Sequence, residues 1–246
     1  MQEPGGLNEQ VAIVTGASRG LGRAIAEELS RRGCRVLGVA RTKSALVELA
    51  ESSANIRYSV CDIADCDKVA ALSDLAVGEF GRLDILVNNA AIGSRSAFLD
   101  LSFSEWDSVL AVNVRAPAVL SQACGRVFVS QGHGKIVNIA SIAGLCGVAN
   151  MEAYCASKGA LIQLTRSLAV EWASRNVQVN AVAPGSFDTY PDRGAKDRAL
   201  SLEKIPSSRM GRSVEIAPLV CYLVSKEANF ITGSVITIDG GETAGL

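Results

Sequence analysis

The sequence lacks the marks of several large protein classes. It carries one histidine, His133, in 246 residues. A metal centre needs several ligands, and a histidine base needs an orienting partner. His133 stands among Gln131, Gly132 and Gly134, reads as part of a loop, and is given no role; no metal site is expected. Charge of one sign is also missing: 24 Lys and Arg face 25 Asp and Glu, a net charge of −1. That leaves no electrostatic footprint for nucleic acid or an anionic membrane surface. Apolar runs are too short to cross a bilayer, so no membrane partner is expected. Met1 to Gln10 is polar, lacks the apolar core of a signal peptide, and reads as a loose leader, with the acidic Glu3 arguing against a transit peptide. No repeat of about 20 to 50 residues is present, and no low-complexity linker divides the chain. The seven cysteines include no Cys-x-x-Cys pair. They read as reduced, small core residues of a cytoplasmic protein. Cys155 beside Tyr154, and Cys146 close after Ser141, share that reading, with an inhibitor-sensitive thiol as the alternative for either.

What is present points to one α/β domain spanning residues 1–246, a length that buries a sizeable core without staples. Short apolar runs recur at Val11–Thr15, Val36–Ala40, Ile56–Val60, Ile85–Asn88, Ile136–Ala140, Val177–Ala183 and Val235–Ile238, with helical patterns between them. Continuous apolar strands alternating with helices predict a doubly wound parallel sheet, Rossmann-like, of about seven strands with helices on both faces. Ligands of such sheets bind at the carboxyl ends of the strands.

The first run leads into Gly16-Ala17-Ser18-Arg19-Gly20-Leu21-Gly22, followed by a helical pattern. Glycine permits positive φ and close approach of backbone to a ligand. A strand, a glycine turn and a helix N-terminus together cradle a pyrophosphate, because free N–H groups and the helix dipole face the anion. Tyr154 and Lys158 are separated by one helical turn and share a helix face. A phenol has a pKa of about 10, and each unit of lowering needs about 1.4 kcal/mol from its surroundings. A neighbouring ammonium favours the phenolate and makes Tyr154 usable as a proton donor or acceptor. Ser141, after the fifth run, offers a hydroxyl to a carbonyl oxygen.

Taken in order, Thr15 to Gly22, Asp62-Ile63, Asn88-Asn89-Ala90-Ala91, Asn113, Ser141, Tyr154 with Lys158, Pro184-Gly185, Thr232-Gly233 and Asp239-Gly240-Gly241 make the chain resemble the short-chain dehydrogenase/reductases along nearly its whole length. The resemblance implies hydride exchange between a nicotinamide and a carbonyl or alcohol carbon. Tyr154 is then the proton donor, and Lys158 lowers its pKa and holds the nicotinamide ribose. Ser141 holds the carbonyl oxygen, and Asn113 sits where a relay water is bound. By the same resemblance Asp62 and Ile63 hold the adenine. Asn88 lies near the adenosine and braces the sheet beside Ala90. Pro184, Gly185 and Thr189 meet the carboxamide and phosphate edge. The chain has Ala91 where the family more often has glycine.

NADP(H) is the expected cofactor. An acid at the end of the second strand would bind the adenosine ribose and repel a 2′-phosphate; here Ala40 stands there, followed by Arg41, with Arg19 in the glycine turn. Two guanidinium groups suit a phosphate dianion.

Pocket residues are expected from Gly93–Ala97, Ala143–Met151 and Ser186–Ala195. A polar stretch of about 186–208 reads as a lid, with a short helix over Leu200–Ile205. The substrate is a small-molecule or thioester carbonyl. By overall pattern the chain most resembles the 3-ketoacyl-carrier-protein reductases of that family, which implies a 3-ketoacyl thioester on an acidic carrier; Arg95, Arg115, Arg126 and Arg193 are the candidate basic residues for its rim, although they form no dense patch. Small diketones or keto-sugars such as xylulose are the alternative, and a non-catalytic cofactor-binding regulator is a third reading. The helix from about Ala153 to Arg175 has apolar residues on a second face, which suggests a partner helix; the resemblance implies a homotetramer or a dimer, with the tail from Val235 to Leu246 as a second contact.

Overall fold

The computed structural model describes residues 7–189, 202–203 and 205–245. Its centre is a seven-stranded parallel sheet. In chain order the strands are β1 (Val11–Thr15), β2 (Arg35–Ala40), β3 (Ile56–Val60), β4 (Ile85–Asn88), β5 (Gly134–Ile139), β6 (Val177–Pro184) and β9 (Val235–Ile238). Across the sheet they run β3-β2-β1-β4-β5-β6-β9. Order reverses between β1 and β4, which opens a crevice at their carboxyl ends.

Strand β1 shows why the sheet is covered on both faces. All five residues are buried. Ala12 and Val14 pack with Ile25 and Leu29 of α1 (Gly20–Arg31), Leu46 and Leu49 of α2 (Lys43–Glu51), and Ile216 and Val220 of α8 (Ser213–Val224). Val11 and Ile13 point the other way. They meet Val69 of α3 (Cys66–Ala70), Leu72 of α4 (Leu72–Phe80) and Phe128 of α6 (Ala116–Gln131). Each fully buried aliphatic side chain stabilises the fold by roughly 1.5–3 kcal/mol.

The expected strands are all present. Their ends differ by one or two residues: β2 starts at Arg35, β5 starts at Gly134, and β6 runs on to Pro184. The long helix α7 covers Glu152–Trp172, and a 3₁₀ turn, Ala173–Arg175, completes the expected span before Asn176 stops it at φ 56°.

Three expectations change. The reading of Met1 to Gln10 as a loose leader fails from Leu7 onward. Leu7 is buried, its N–H donates to the Arg32 carbonyl at 2.9 Å, and the Gln10 carbonyl accepts from Arg35 N–H at 2.8 Å. His133 does lie in a turn, but it has a partner: Nε2 is 2.9 Å from Oδ1 of the buried Asp84, which also takes two bonds from Arg82. The lid stretch is not wholly irregular, since β7 (Phe187–Asp188) pairs with β8 (Gly211–Arg212) at its base. Residues 190–201 and 204, including Arg193 and half of the expected short helix, lie outside the described residues.

Candidate active site

The glycine turn joins β1 to α1 at the crevice. Gly16 has φ 68°, and a Cβ there would lie 2.6 Å from Nδ2 of Asn89. Gly20 has φ 57° and faces Thr189, whose Cβ would stand 3.4 Å away. Gly22 needs its lack of a side chain most, because a Cβ would lie 2.3 Å from the Gly16 carbonyl oxygen. Gly22→Ala is therefore expected to destabilise the protein by about 1–3 kcal/mol. It should also abolish dinucleotide binding, read as a lowered Tm that added NADPH no longer raises.

The turn is tied from two sides. Ala17 N–H donates to the Val39 carbonyl at 3.2 Å, which brings the end of β2 beside it. Thr15 Oγ1 accepts from Asn89 N–H at 3.0 Å and Ala90 N–H at 3.1 Å, while Asn89 Nδ2 donates to the Thr15 carbonyl at 2.8 Å. Asn89 is thus a support of the turn that sequence reasoning passed over, although its place beside Asn88 was a signal. Ser18 and Leu21 are half-buried within the same turn.

Arg19 and Arg41 are both exposed at this end of the sheet. Arg23, one turn on, is engaged by Glu27 at 2.9 Å and Glu48 at 3.5 Å. Arg41 forms no ion pair among the described residues. A turn lined by N–H groups and flanked by guanidinium groups fits a dinucleotide with an added phosphate.

Two residues expected near the cofactor have side chains that face the interior, and Asn88 braces the sheet there as expected. Asn88 is buried and donates to Ser121 Oγ at 3.1 Å and Asn138 Oδ1 at 2.8 Å, so its side chain braces the sheet and cannot also face the turn. The Ile63 side chain packs inward around a small cavity with Thr15, Val69, Ala116 and Leu120. Asp62 is exposed, with Oδ1 accepting from Ala64 N–H at 3.0 Å. Arg126 lies by the amino ends of the strands, in a groove between α4 and α6 with Asp74 and Gln131, and is no part of a substrate rim.

The remaining residues converge on α7. Ser141 is extended, at φ −172°, and its Oγ accepts from Ala143 N–H at 3.1 Å. That cap fixes the oxygen and leaves its O–H as a donor. The turn after it lies directly on α7. A Cβ on Gly144 would stand 2.7 Å from the Lys158 carbonyl carbon and 2.9 Å from Gly159 N. Lys158 is 2 % exposed. Its Nζ donates to the Ile139 carbonyl at 2.7 Å and stands 5.7 Å from the centroid of the Tyr154 ring. An ammonium over an aromatic face is attracted by it. Burial nevertheless pushes the Lys158 pKa down to about 7.

A folded pKa of about 7 against about 10.4 in the unfolded chain makes stability climb with pH between those values, since only the unfolded chain then holds the proton. Relative to Lys158→Met, the ligand-free protein should gain stability from about pH 7 upward, approaching roughly 1.4 kcal/mol per pH unit. Denaturant titrations of both proteins across that range would show it. A pH-independent difference would contradict a buried, neutralised lysine.

Asn113 lies fully buried in a π turn, Ala111–Arg115. Such turns are frequent at functional sites. Its Oδ1 accepts from Ile92 N–H at 2.9 Å, and its Nδ2 donates to the Ile92 carbonyl at 2.9 Å and to Ser157 Oγ at 3.0 Å. Cys155 Sγ lies 3.9 Å from the Val148 carbonyl and Cys146 Sγ 3.3 Å from the Ile142 carbonyl, both half-buried beside the site. Pro184 ends β6. Gly185 follows it against Asp239, where a Cβ would lie 2.7 Å from that residue's own Cβ.

Residues 16–243 match the family described as Enoyl-(Acyl carrier protein) reductase. The 3-oxoacyl-[acyl-carrier-protein] reductase FabG of Escherichia coli (strain K12) is 37% identical over 235 residues, covering 94% of this chain and 96% of the relative. The 2-dehydro-3-deoxy-D-gluconate 5-dehydrogenase of Dickeya dadantii is 37% identical over 242 residues, covering 96% of each. Among solved structures, one described as a candidate NAD(P)-dependent gluconate 5-dehydrogenase from Beutenbergia cavernae, with bound NADP at low occupancy, superposes with a TM-score of 0.92 at 38% identity, covering 98% of this chain and 99% of that one.

Proposed function

Because the chain belongs to the short-chain dehydrogenase/reductase family of oxidoreductases, we propose that it is an NADPH-dependent carbonyl reductase whose substrate is a 3-ketoacyl thioester. One observation carries the reading: the Tyr154–Lys158 pair and Ser141 meet at the carboxyl ends of the strands, beside a glycine cradle with Arg19 and Arg41 at its rim.

In this reading Gly16, Ser18, Arg19, Gly20, Leu21, Gly22, Arg41, Asp62, the Ile63 backbone, Ala90, Pro184, Gly185 and Thr189 hold NADP(H). A dihydronicotinamide supplies hydride to the carbonyl carbon. Ser141 donates its O–H to the carbonyl oxygen and stabilises the charge that develops there. Tyr154 Oη delivers its proton to that oxygen. Lys158 stabilises the phenolate left behind, and its proton affinity rises as that charge appears. Asn113, which ties the π turn to Ile92 and Ser157, is the fourth member, at the position where a water relays protons to Lys158.

A second substrate class has specific support. The sugar-acid dehydrogenase and the 3-oxoacyl reductase are equally similar to this chain, at 37% identity, and the segment beside the site carries polar Ser94, Arg95, Ser96 and Asn150. Steady-state assays of a short 3-ketoacyl thioester and xylulose with NADPH, and of 2-dehydro-3-deoxy-D-gluconate with NADP⁺, separate the two. A higher kcat/KM on the thioester sustains the first reading. Turnover confined to the sugar compounds replaces it with the second.

The assembly is proposed as a homotetramer. Phe103 on α5 (Phe103–Leu110) and Val170 on α7 are 82% and 83% exposed, and Phe230 near β9 is fully so. Apolar faces of this kind are covered when copies associate.

A further inference from the structure

Helix α7 is held at two points by the same device. Asn113 Nδ2 donates to Ser157 Oγ at 3.0 Å, and that hydroxyl donates to the Tyr154 carbonyl at 2.7 Å. Two turns along, Asn138 Nδ2 donates to Thr165 Oγ1 at 2.9 Å, and that hydroxyl donates to the Leu161 carbonyl at 2.8 Å. Asn138 Oδ1 is engaged in turn by Asn88, which also holds Ser121. Asn88, Ser121, Asn138, Ser157 and Thr165 are all buried. Polar groups in an interior cost stability unless every one is bonded, and apolar residues of like size pack there as well. A buried, fully bonded polar chain therefore stands out as a device for specifying geometry.

We propose that Thr165 is a positioning residue: its bond to Asn138 sets where α7 comes to rest along β5, and so aligns Tyr154 and Lys158 with Ser141. Thr165 follows Lys158 by two helical turns on the same face, about 10 Å along the axis. Asn138 directly precedes Ile139, whose carbonyl takes the Lys158 ammonium, and stands three residues before Ser141. One short stretch of chain from β5 thus carries the anchor, the lysine's acceptor and the hydroxyl that binds the carbonyl oxygen. The apolar contacts nearby join Ala140, Ile162 and Ala181, and contacts of this kind are non-directional. A hydrogen bond is directional and fixes register.

The inference rests on the proposed chemistry of Tyr154. Wild-type protein that binds NADPH but reduces no carbonyl removes that reading first. With an active wild type, Thr165→Val keeps the shape and removes the hydroxyl. It should lower kcat by about tenfold or more, change the KM for NADPH far less, and shift the acid–base midpoint of the kcat pH profile. Thr165→Ser should restore both. Should Thr165→Val fail to fold, Thr165→Ala makes room for a water to satisfy Asn138 without tying the helix, and the same losses are expected. A folded variant lacking the hydroxyl but showing wild-type kcat and pH profile, with only its Tm lowered, overturns the proposal.

Discussion

In Tyr154→Phe, kcat for carbonyl reduction falls by about 10²–10⁴-fold while NADPH binds as before. A positioned proton donor contributes a factor of that size, and Tyr154 is the phenol that the Lys158 ammonium overlies, 5.7 Å from its ring centroid. The ring itself remains in the variant, so its packing against α7 and its contact with Lys158 persist. Cofactor fluorescence checks binding, and a progress curve checks turnover. A variant that keeps wild-type kcat would remove Tyr154 from the chemistry. One that loses NADPH binding would assign the hydroxyl to the cofactor instead.

The second large effect is expected at the end of β2. Ala40 is buried there, its carbonyl accepts from Cys61 N–H at 3.0 Å, and Arg41 beyond it is exposed without an ion pair among the described residues. Hydrogen bonds between charged groups are worth about 1.5–3 kcal/mol each, or roughly a factor of 10 to 100. Ala40→Asp would place a carboxylate that accepts from ribose hydroxyls and opposes a 2′-phosphate. The ratio of kcat/KM for NADPH over NADH should fall by about 10²-fold, combining a loss on NADPH with a gain on NADH. An unchanged ratio would mean that the phosphate is held elsewhere, or that the enzyme prefers neither cofactor.

Much of this molecule was legible because its information is local. A five-residue apolar run bounded by polar residues reads as β1, and its alternation sends Ala12 and Val14 to one face and Val11 and Ile13 to the other. The glycine spacing is local too, and each of Gly16, Gly20 and Gly22 is needed for a reason tied to its own φ or to the atom beside it. Non-local contacts were not legible. No pattern links His133 to Asp84, 49 residues away, or Leu7 to Arg32. Asn88 braces the sheet as the resemblance implied, whereas the Ile63 side chain turns into the interior, because only packing decides which way a residue at a strand end faces. A signal did exist for the buried network: Asn88 ends the apolar run of β4, and Asn138 interrupts the apolar run of β5. An amide in such a place must find partners, and Thr165, Ser121 and each other are the partners found. The burial of Lys158 carried a similar cue, since Tyr154 and Lys158 share a face that covers the sheet.

The central claim is hydride delivery to a carbonyl carbon at the Tyr154 site. It is tested most directly with NADPH carrying deuterium at both positions of nicotinamide C4, incubated with a short 3-ketoacyl thioester and the wild-type protein. The account predicts a 3-hydroxyacyl thioester with one deuterium on the carbinol carbon, formed one for one with NADP⁺. Bound cofactor with no deuterated alcohol from this thioester or from the ketone substrates would contradict it.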